Sequence, residues 1–175
     1  IRSALKHGTL AIGSLGLAET LQILIGKNHT TDEGMEVAKR IYRLFRKKCN
    51  DFKEEYKLNF GVYFTPAENL CYTAMKKFRN KYGIIPNVSE RSFFTNSMHV
   101  PVWESMTPFQ KIDIESQLTT YSSAGCITYV EVDSKICNNI EALEEVVLDA
   151  MDKDIPYFAI NFPIDNCKHC GYSGV

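Results

Sequence analysis

The stretch "NFGVYFTPAENL", residues 59–70, decides the fold class. Phe60 to Phe64 is short, aromatic and β-branched, which is strand chemistry. Thr65-Pro66 ends that strand. Pro66 suits the first position of a helix, where a missing N–H is no loss, and Thr65 suits the cap before it. The spacing predicts a helix that runs to about Tyr82 and stops at Gly83 and Pro86. A strand that feeds directly into a helix is the repeating unit of an α/β fold with crossover connections.

Working outward, the same alternation continues. Residues 8–25 read as one buried helix, with Leu10, Leu17, Leu21 and Leu24 at helical spacing. Gly8, Gly13 and Gly16 each cost about 1 kcal/mol against alanine in a helix and imply close packing against a neighbour. No Gly-Lys-Ser/Thr follows them, so they are not a phosphate loop. Thr31 is expected to cap a helix over about 32–57, with Val37, Ile41, Leu44, Phe45 and Phe52 on one face and Arg46–Lys48 on the solvated side. Downstream, residues 108–121 contain an amphipathic helix, "GCITYVEV" is a strand, and residues 139–153 form a helix that buries Ile140, Leu143, Val146, Val147 and Ala150. "PYFAINFPI" is the last strand.

Composition narrows the function classes. The 175 residues suffice for one domain with a real core. With 20 basic and 21 acidic residues the net charge is −1, so no nucleic-acid-binding surface is expected. The apolar run "LAIGSLGLAETLQILIG" is broken by Glu19 and Gln22, so no membrane span or signal peptide is expected. Six cysteines at irregular spacing do not form a secreted disulfide scaffold, and a reducing cytoplasm is the expectation.

Three segments carry candidate chemistry. At Thr65, Pro66, Ala67, Glu68 and Asn69 a strand delivers the chain to a helix N-terminus, whose unpaired N–H groups and dipole favour an anion such as phosphate. A carboxylate at Glu68 competes with that anion, and an ordinary helix cap is the plainer reading. In "TNSMHVPV", Thr95, Asn96, Ser97 and His99 make a polar island between apolar flanks, either a pocket lining or a loop bonded to its own backbone. Cys126 has no basic neighbour and reads as a buried thiol. No Ser-His-Asp arrangement can be identified. At the end of the chain, Cys167 and Cys170 form a CxxC followed by Gly171, half of a tetrahedral zinc site. A redox CxxC is the alternative, although Gly171, Ser173 and Gly174 are poor helix formers. Cys49, Cys71, Cys126 and Cys137 form no second close pair. The chain begins with Ile1 and stops five residues after Cys170, so both ends are expected to be cut and the remaining ligands to lie beyond Val175.

Together, "FGVYFTPAENLCYT", "GIIPNVSERSFFTNSMHVPVW", "KIDIESQLTTYSSAGCITYVEV", "NNIEALEEVVLDAMDKDIPYFAINFPID" and "CKHCGYSG" resemble the anaerobic (class III) ribonucleoside-triphosphate reductases. The resemblance runs along nearly the whole chain, in the family's block order, and matches the C-terminal part of the large subunit of this glycyl-radical enzyme. It implies the second half of a ten-stranded α/β barrel over residues 1–160, and the start of a zinc-binding, glycyl-radical region over 161–175. It implies that Cys167 and Cys170 bind a structural zinc with two further cysteines outside the chain. The radical glycine and the thiyl cysteine are expected outside it as well, so Gly171 and Gly174 are not the radical glycine and the piece alone is expected to be inactive.

The implied reaction removes the 2′-hydroxyl of a ribonucleoside triphosphate after a thiyl radical abstracts the 3′ hydrogen, with formate or a thiol system as reductant. The deoxyribonucleotide product serves DNA replication. A radical S-adenosylmethionine activase and a homodimeric full-length form are implied partners, with ATP and other nucleotide regulatory sites mostly before Ile1. By resemblance, Thr65–Asn69 looks like the substrate-phosphate cradle, and Asn96, Ser97 and His99 look like barrel-interior residues near the ribose. The competing classes are another glycyl-radical enzyme, whose members generally lack the zinc cysteines, and a non-catalytic zinc-knuckle interaction module. The latter would not need the strand-to-helix junction or the polar island.

Overall fold

The computed structural model describes residues 4, 7–64, 67–132, 139–162 and 165–174. The elements run β1 (Thr9–Gly13), α1 (Leu17–Ile25), α2 (Asp32–Tyr56), β2 (Asn59–Tyr63), α3 (Glu68–Tyr82), α4 (Pro108–Thr119), β3 (Thr128–Glu131), α5 (Ile140–Asp152) and β4 (Phe158–Asn161). Two short strands follow, β5 (Asp165–Asn166) and β6 (Ser173–Gly174).

β1 and β2 pair in parallel, with Leu10 opposite Phe60 and Ile12 opposite Val62. Parallel neighbours need a long crossover, which α1 and α2 provide. β3 and β4 also pair in parallel, with Val130 opposite Ile160 and α5 as the crossover. A parallel bridge between Phe64 and Cys126 joins the two pairs. There the Phe64 N–H donates to the Gly125 carbonyl at 2.9 Å, and the N–H groups of Ser123 and Ala124 both donate to the Val62 carbonyl. The expected α/β alternation is therefore present.

Helix α2 begins and ends as the sequence predicts. Thr31 is its N-cap, its hydroxyl oxygen accepting from the Gly34 N–H at 3.2 Å. Helix α3 ends at Tyr82 with Gly83 as its C-cap. Helix α4 starts with a full capping box, in which the Thr107 hydroxyl accepts from the Gln110 N–H and the Gln110 side chain accepts from the Thr107 N–H.

Three readings need correction. Residues 8–25 are not one helix: Thr9–Gly13 is a strand and the helix starts at Leu17. Pairing with β2 satisfies the backbone of this segment, and Gly16 adopts a left-handed φ of 76° that separates strand from helix. The leucine spacing misled because Leu10 and Leu24, two of its four positions, are exposed. Second, α3 begins at Glu68 with Ala67 as its N-cap, not at Pro66; Thr65 and Pro66 themselves lie outside the described residues. Third, Ile140 is exposed in the first turn of α5, where Asn139 caps the helix by accepting from the Ala142 N–H. Val146 and Ala150 form the buried face of α5.

The core has two parts. Leu21, Tyr42, Phe64, Met98 and Leu118 belong to one, with the Tyr42 and Phe64 rings 4.6 Å apart. Ile112, Val130, Val146 and Ala150 belong to the other. Helix α4 serves both, with Leu118 in the first and Ile112 in the second. The Arg79 guanidinium on α3 donates to the carbonyls of Ser89 and Arg91 and so ties the long segment after α3 back to that helix. Among the described residues, no helix is long and apolar enough to cross a membrane.

Candidate functional site

The loop after α3 folds back over the start of that helix and encloses a cavity of about 440 Å³. Cys71, Asn96, His99, Trp103, Lys111 and Tyr129 are among its walls. Ala67 has no side-chain oxygen with which to cap α3. Asn96, 29 residues away, anchors the helix start instead, its Oδ1 accepting from the Ala67 N–H at 2.7 Å. The Cys71 thiol donates to the same oxygen at 3.6 Å. The start of α3 and the polar island, separated in the sequence, are thereby joined, and Cys71 and Asn96 both line the cavity.

The candidate residues divide between cavity and support. Asn96 and His99 line the cavity, whereas Ser97 is fully buried with a positive φ of 43°. That conformation costs a non-glycine residue roughly 1–2 kcal/mol. It forms part of the turn in which the His99 N–H donates to the Asn96 carbonyl at 3.0 Å. Asn69 is exposed on α3. Cys126 is buried as expected, and burial pushes its thiol pKa up.

Two buried carboxylates hold the polar island, and neither was picked out from the sequence. Glu115 on α4 is fully buried. Its Oε1 accepts from the Val100 N–H at 3.0 Å, and its Oε2 contacts His99 Nδ1 at 3.1 Å. Burial opposes ionisation of this carboxyl. The His99 contact, the Lys111 charge and the Val100 N–H outweigh it, so the pKa lies below the ordinary glutamate value. Glu19 on α1 accepts from both the N–H and the hydroxyl of Thr95, at 2.9 and 2.7 Å. Here burial prevails and the pKa is raised. Glu115 lies three residues from both Ile112 and Leu118, on the buried face of an amphipathic helix, and that spacing was the available signal. Glu19 shares the buried turn of Leu17, Ala18 and Leu21, yet its charge suggests only an interruption of an apolar run. Replacing Glu19 by leucine leaves the Thr95 N–H without its acceptor and is expected to cost on the order of 2 kcal/mol in urea unfolding.

Beyond the cavity, Cys167 and Cys170 are exposed free thiols on a tight turn. The Cys167 N–H donates to the Tyr172 carbonyl at 2.8 Å, and the Gly171 N–H donates to the Cys167 carbonyl at 2.9 Å. Gly171 has a φ of 71°, which a side chain would strain, and the antiparallel pair β5–β6 closes the knuckle. Backbone N–H groups of Cys170 and His169, then the Cys170 side chain, lower the Cys167 pKa. A preformed turn that favours thiolate fits half of a zinc site. No group of three or more metal-ligating side chains occurs among the described residues.

Parallel strand pairs joined through helical crossovers place the chain in the α/β class. Comparison with known proteins makes this specific. The chain belongs to the anaerobic ribonucleoside-triphosphate reductase family, whose model matches residues 1–175. It is 34% identical over 173 residues to the anaerobic ribonucleoside-triphosphate reductase of Escherichia coli (strain K12), covering 97% of this chain and 24% of that protein. To the enzyme of the same description from Enterobacteria phage T4 it is 36% identical over 169 residues, covering 95% of this chain and 26% of that protein. The chain thus spans about a quarter of the length of these relatives. Its fold matches the crystal structure of the anaerobic ribonucleotide reductase from Thermotoga maritima with dATP bound in the specificity site, at a TM-score of 0.77 and 21% identity. That match covers 98% of this chain and 28% of the solved one. A second solved anaerobic ribonucleotide reductase matches with a TM-score of 0.79 and 21% identity over 98% of this chain and 27% of its own.

Proposed function

We propose that this chain supplies the substrate-pocket wall and half of the zinc site of a ribonucleoside-triphosphate reductase, within a ten-stranded α/β barrel. The observation that carries the reading is the 2.7 Å bond from the Ala67 N–H to Asn96, which fixes the start of α3 beside the polar island. Residues 1–160 belong to the barrel in this reading, and 161–175 open the zinc-binding and radical region. The segment Thr65–Asn69 takes the substrate phosphates, while Asn96 and His99 border the ribose and Ser97 shapes the turn between them. Cys167 and Cys170 hold zinc together with two cysteines outside the chain.

A glycyl radical, also outside the chain, supplies the one-electron chemistry. The residues present here bind and orient the nucleotide. Formate or a thiol system provides the reducing equivalents, a radical S-adenosylmethionine enzyme activates the protein, and the full-length form is a cytoplasmic homodimer.

The test uses full-length protein under anaerobic conditions with its activase. Thr65→Val and Asn96→Ala are each expected to weaken nucleotide binding about tenfold, since a charge-assisted hydrogen bond contributes roughly 1.5–3 kcal/mol. Zinc content and radical yield should not change. Unaltered nucleotide affinity in both variants would return residues 65–69 to an ordinary helix start.

A further inference from the structure

The pairing of Glu115 with His99 determines which nitrogen of the cavity-lining ring is free. An ionised carboxylate accepts hydrogen bonds and donates none. One Glu115 oxygen takes the Val100 N–H at 3.0 Å, and the other lies 3.1 Å from His99 Nδ1, which must therefore carry a hydrogen. In the neutral ring Nε2 is then bare. It is buried and has no hydrogen-bond partner among the described residues, although His99 lines the cavity. Tyr129, another wall residue, holds the ring edge-on at a centroid distance of 6.0 Å. The fully buried carboxylate thus joins the Val100 backbone to this ring.

We propose that Glu115 is a positioning residue that locks His99 as its Nδ1–H tautomer, so that Nε2 accepts a hydrogen bond from a sugar hydroxyl of the ligand in the cavity. The choice of a hydroxyl rests on the function proposed above; the tautomer does not. A bare imidazole nitrogen rejects a phosphate or carboxylate oxygen and takes an O–H donor. Glu115 thus sets a specificity that His99 alone would not have, since an unconstrained ring can present either a donor or an acceptor.

Glu115→Gln tests the role with almost no change of shape. If the single amide oxygen keeps the Val100 N–H, the amide nitrogen faces His99 Nδ1 and donates to it. The proton then moves to Nε2, and the cavity gains a donor where it had an acceptor.

In full-length protein labelled with ¹⁵N-histidine, the His99 signals, assigned by their loss in His99→Gln, should show a protonated Nδ1 and a bare Nε2 near neutral pH. Glu115→Gln should exchange the two signatures, and Glu115→Asp, which keeps a carboxylate, should restore the first. A sugar hydroxyl can turn and accept from Nε2–H, so nucleoside triphosphate binding should change little in Glu115→Gln, whereas His99→Phe, which offers no ring nitrogen, should weaken it about tenfold, and that loss should vanish with a 2′-deoxy or a 3′-deoxy analogue. A wild-type His99 that is protonated at Nε2, alone or on both nitrogens, overturns the proposal. So does unchanged nucleotide affinity in His99→Phe. If wild-type protein binds no nucleotide at all, the functional reading fails, while the wild-type signals still decide the role of Glu115.

Discussion

A Cys167→Ser variant of the full-length protein will lose its zinc, with affinity reduced by roughly a hundredfold or more. Structural zinc sites contribute roughly 10–16 kcal/mol through four ligands, so an equal share is about 3 kcal/mol for each. A serine hydroxyl does not replace a thiolate on this ion. The knuckle geometry adds to the loss, because the N–H groups of His169 and Cys170 that favour a thiolate at Cys167 would then face a neutral hydroxyl. Cys170→Ser should behave alike. Cys126→Ser should retain zinc, since that thiol is buried beside β2, on the strand-bridge segment. Metal analysis after dialysis against a competing chelator measures the difference: about one zinc per chain in wild type and in Cys126→Ser, and close to none in the two knuckle variants. Full occupancy in Cys167→Ser would remove the knuckle from the metal site and leave the redox reading of the CxxC.

The architecture was legible where a local signal coincided with a tertiary one. Residues 60–64 are β-branched and aromatic, and their strand is central to the parallel pairing, so chemistry and context agree. At residues 8–25 they conflict. Leucines at helical spacing suggest one helix, but the five residues of β1 are recruited by the open side of β2, a partner 50 residues away in register. Such pairing leaves no local trace. The cavity shows the same division. Asn96 and His99 announced themselves as polar residues between apolar flanks. Their supports, Glu19 and Glu115, lie on other helices and look like ordinary solvated charges until the fold buries them. The anchor of the α3 start was invisible for the same reason: the Ala67 N–H donates to Asn96 across a tertiary contact.

Acid will destabilise the chain through His29, by about 3 kcal/mol between pH 6.5 and pH 4. The His29 side chain is buried in the loop before α2, and neither ring nitrogen has a hydrogen bond of good geometry among the described residues. Burial lowers its pKa from 6.5 to about 4, and the Glu115 carboxylate and the backbone of Met98 and His99 oppose this only in part; the His99 ring reinforces it. The unfolded chain takes up a proton as pH falls through 6.5, whereas the folded chain takes none until about 4. His29 therefore leaves stability intact above pH 6.5, erodes it as pH falls, and has its full effect below pH 4; a shift of two to three pH units at about 1.4 kcal/mol each gives the stated magnitude.

Two carboxylates modify the profile without imitating it. The raised pKa of Glu19 works the other way, since its protonation in the folded chain relieves a buried charge as pH falls. The lowered pKa of Glu115 adds a loss only below its ordinary value of 4.5. The quantity to compare is thus the difference between wild type and His29→Phe, which keeps an aromatic ring but cannot titrate, with His29→Gln as the second variant should the larger ring not fit. Urea unfolding at pH 7, 5.5 and 4.5 should show both variants losing much less stability with acid than wild type does. Parallel pH profiles for wild type and both variants would mean that His29 is protonated as easily folded as unfolded, and that its burial beside Glu115 carries no penalty for charge.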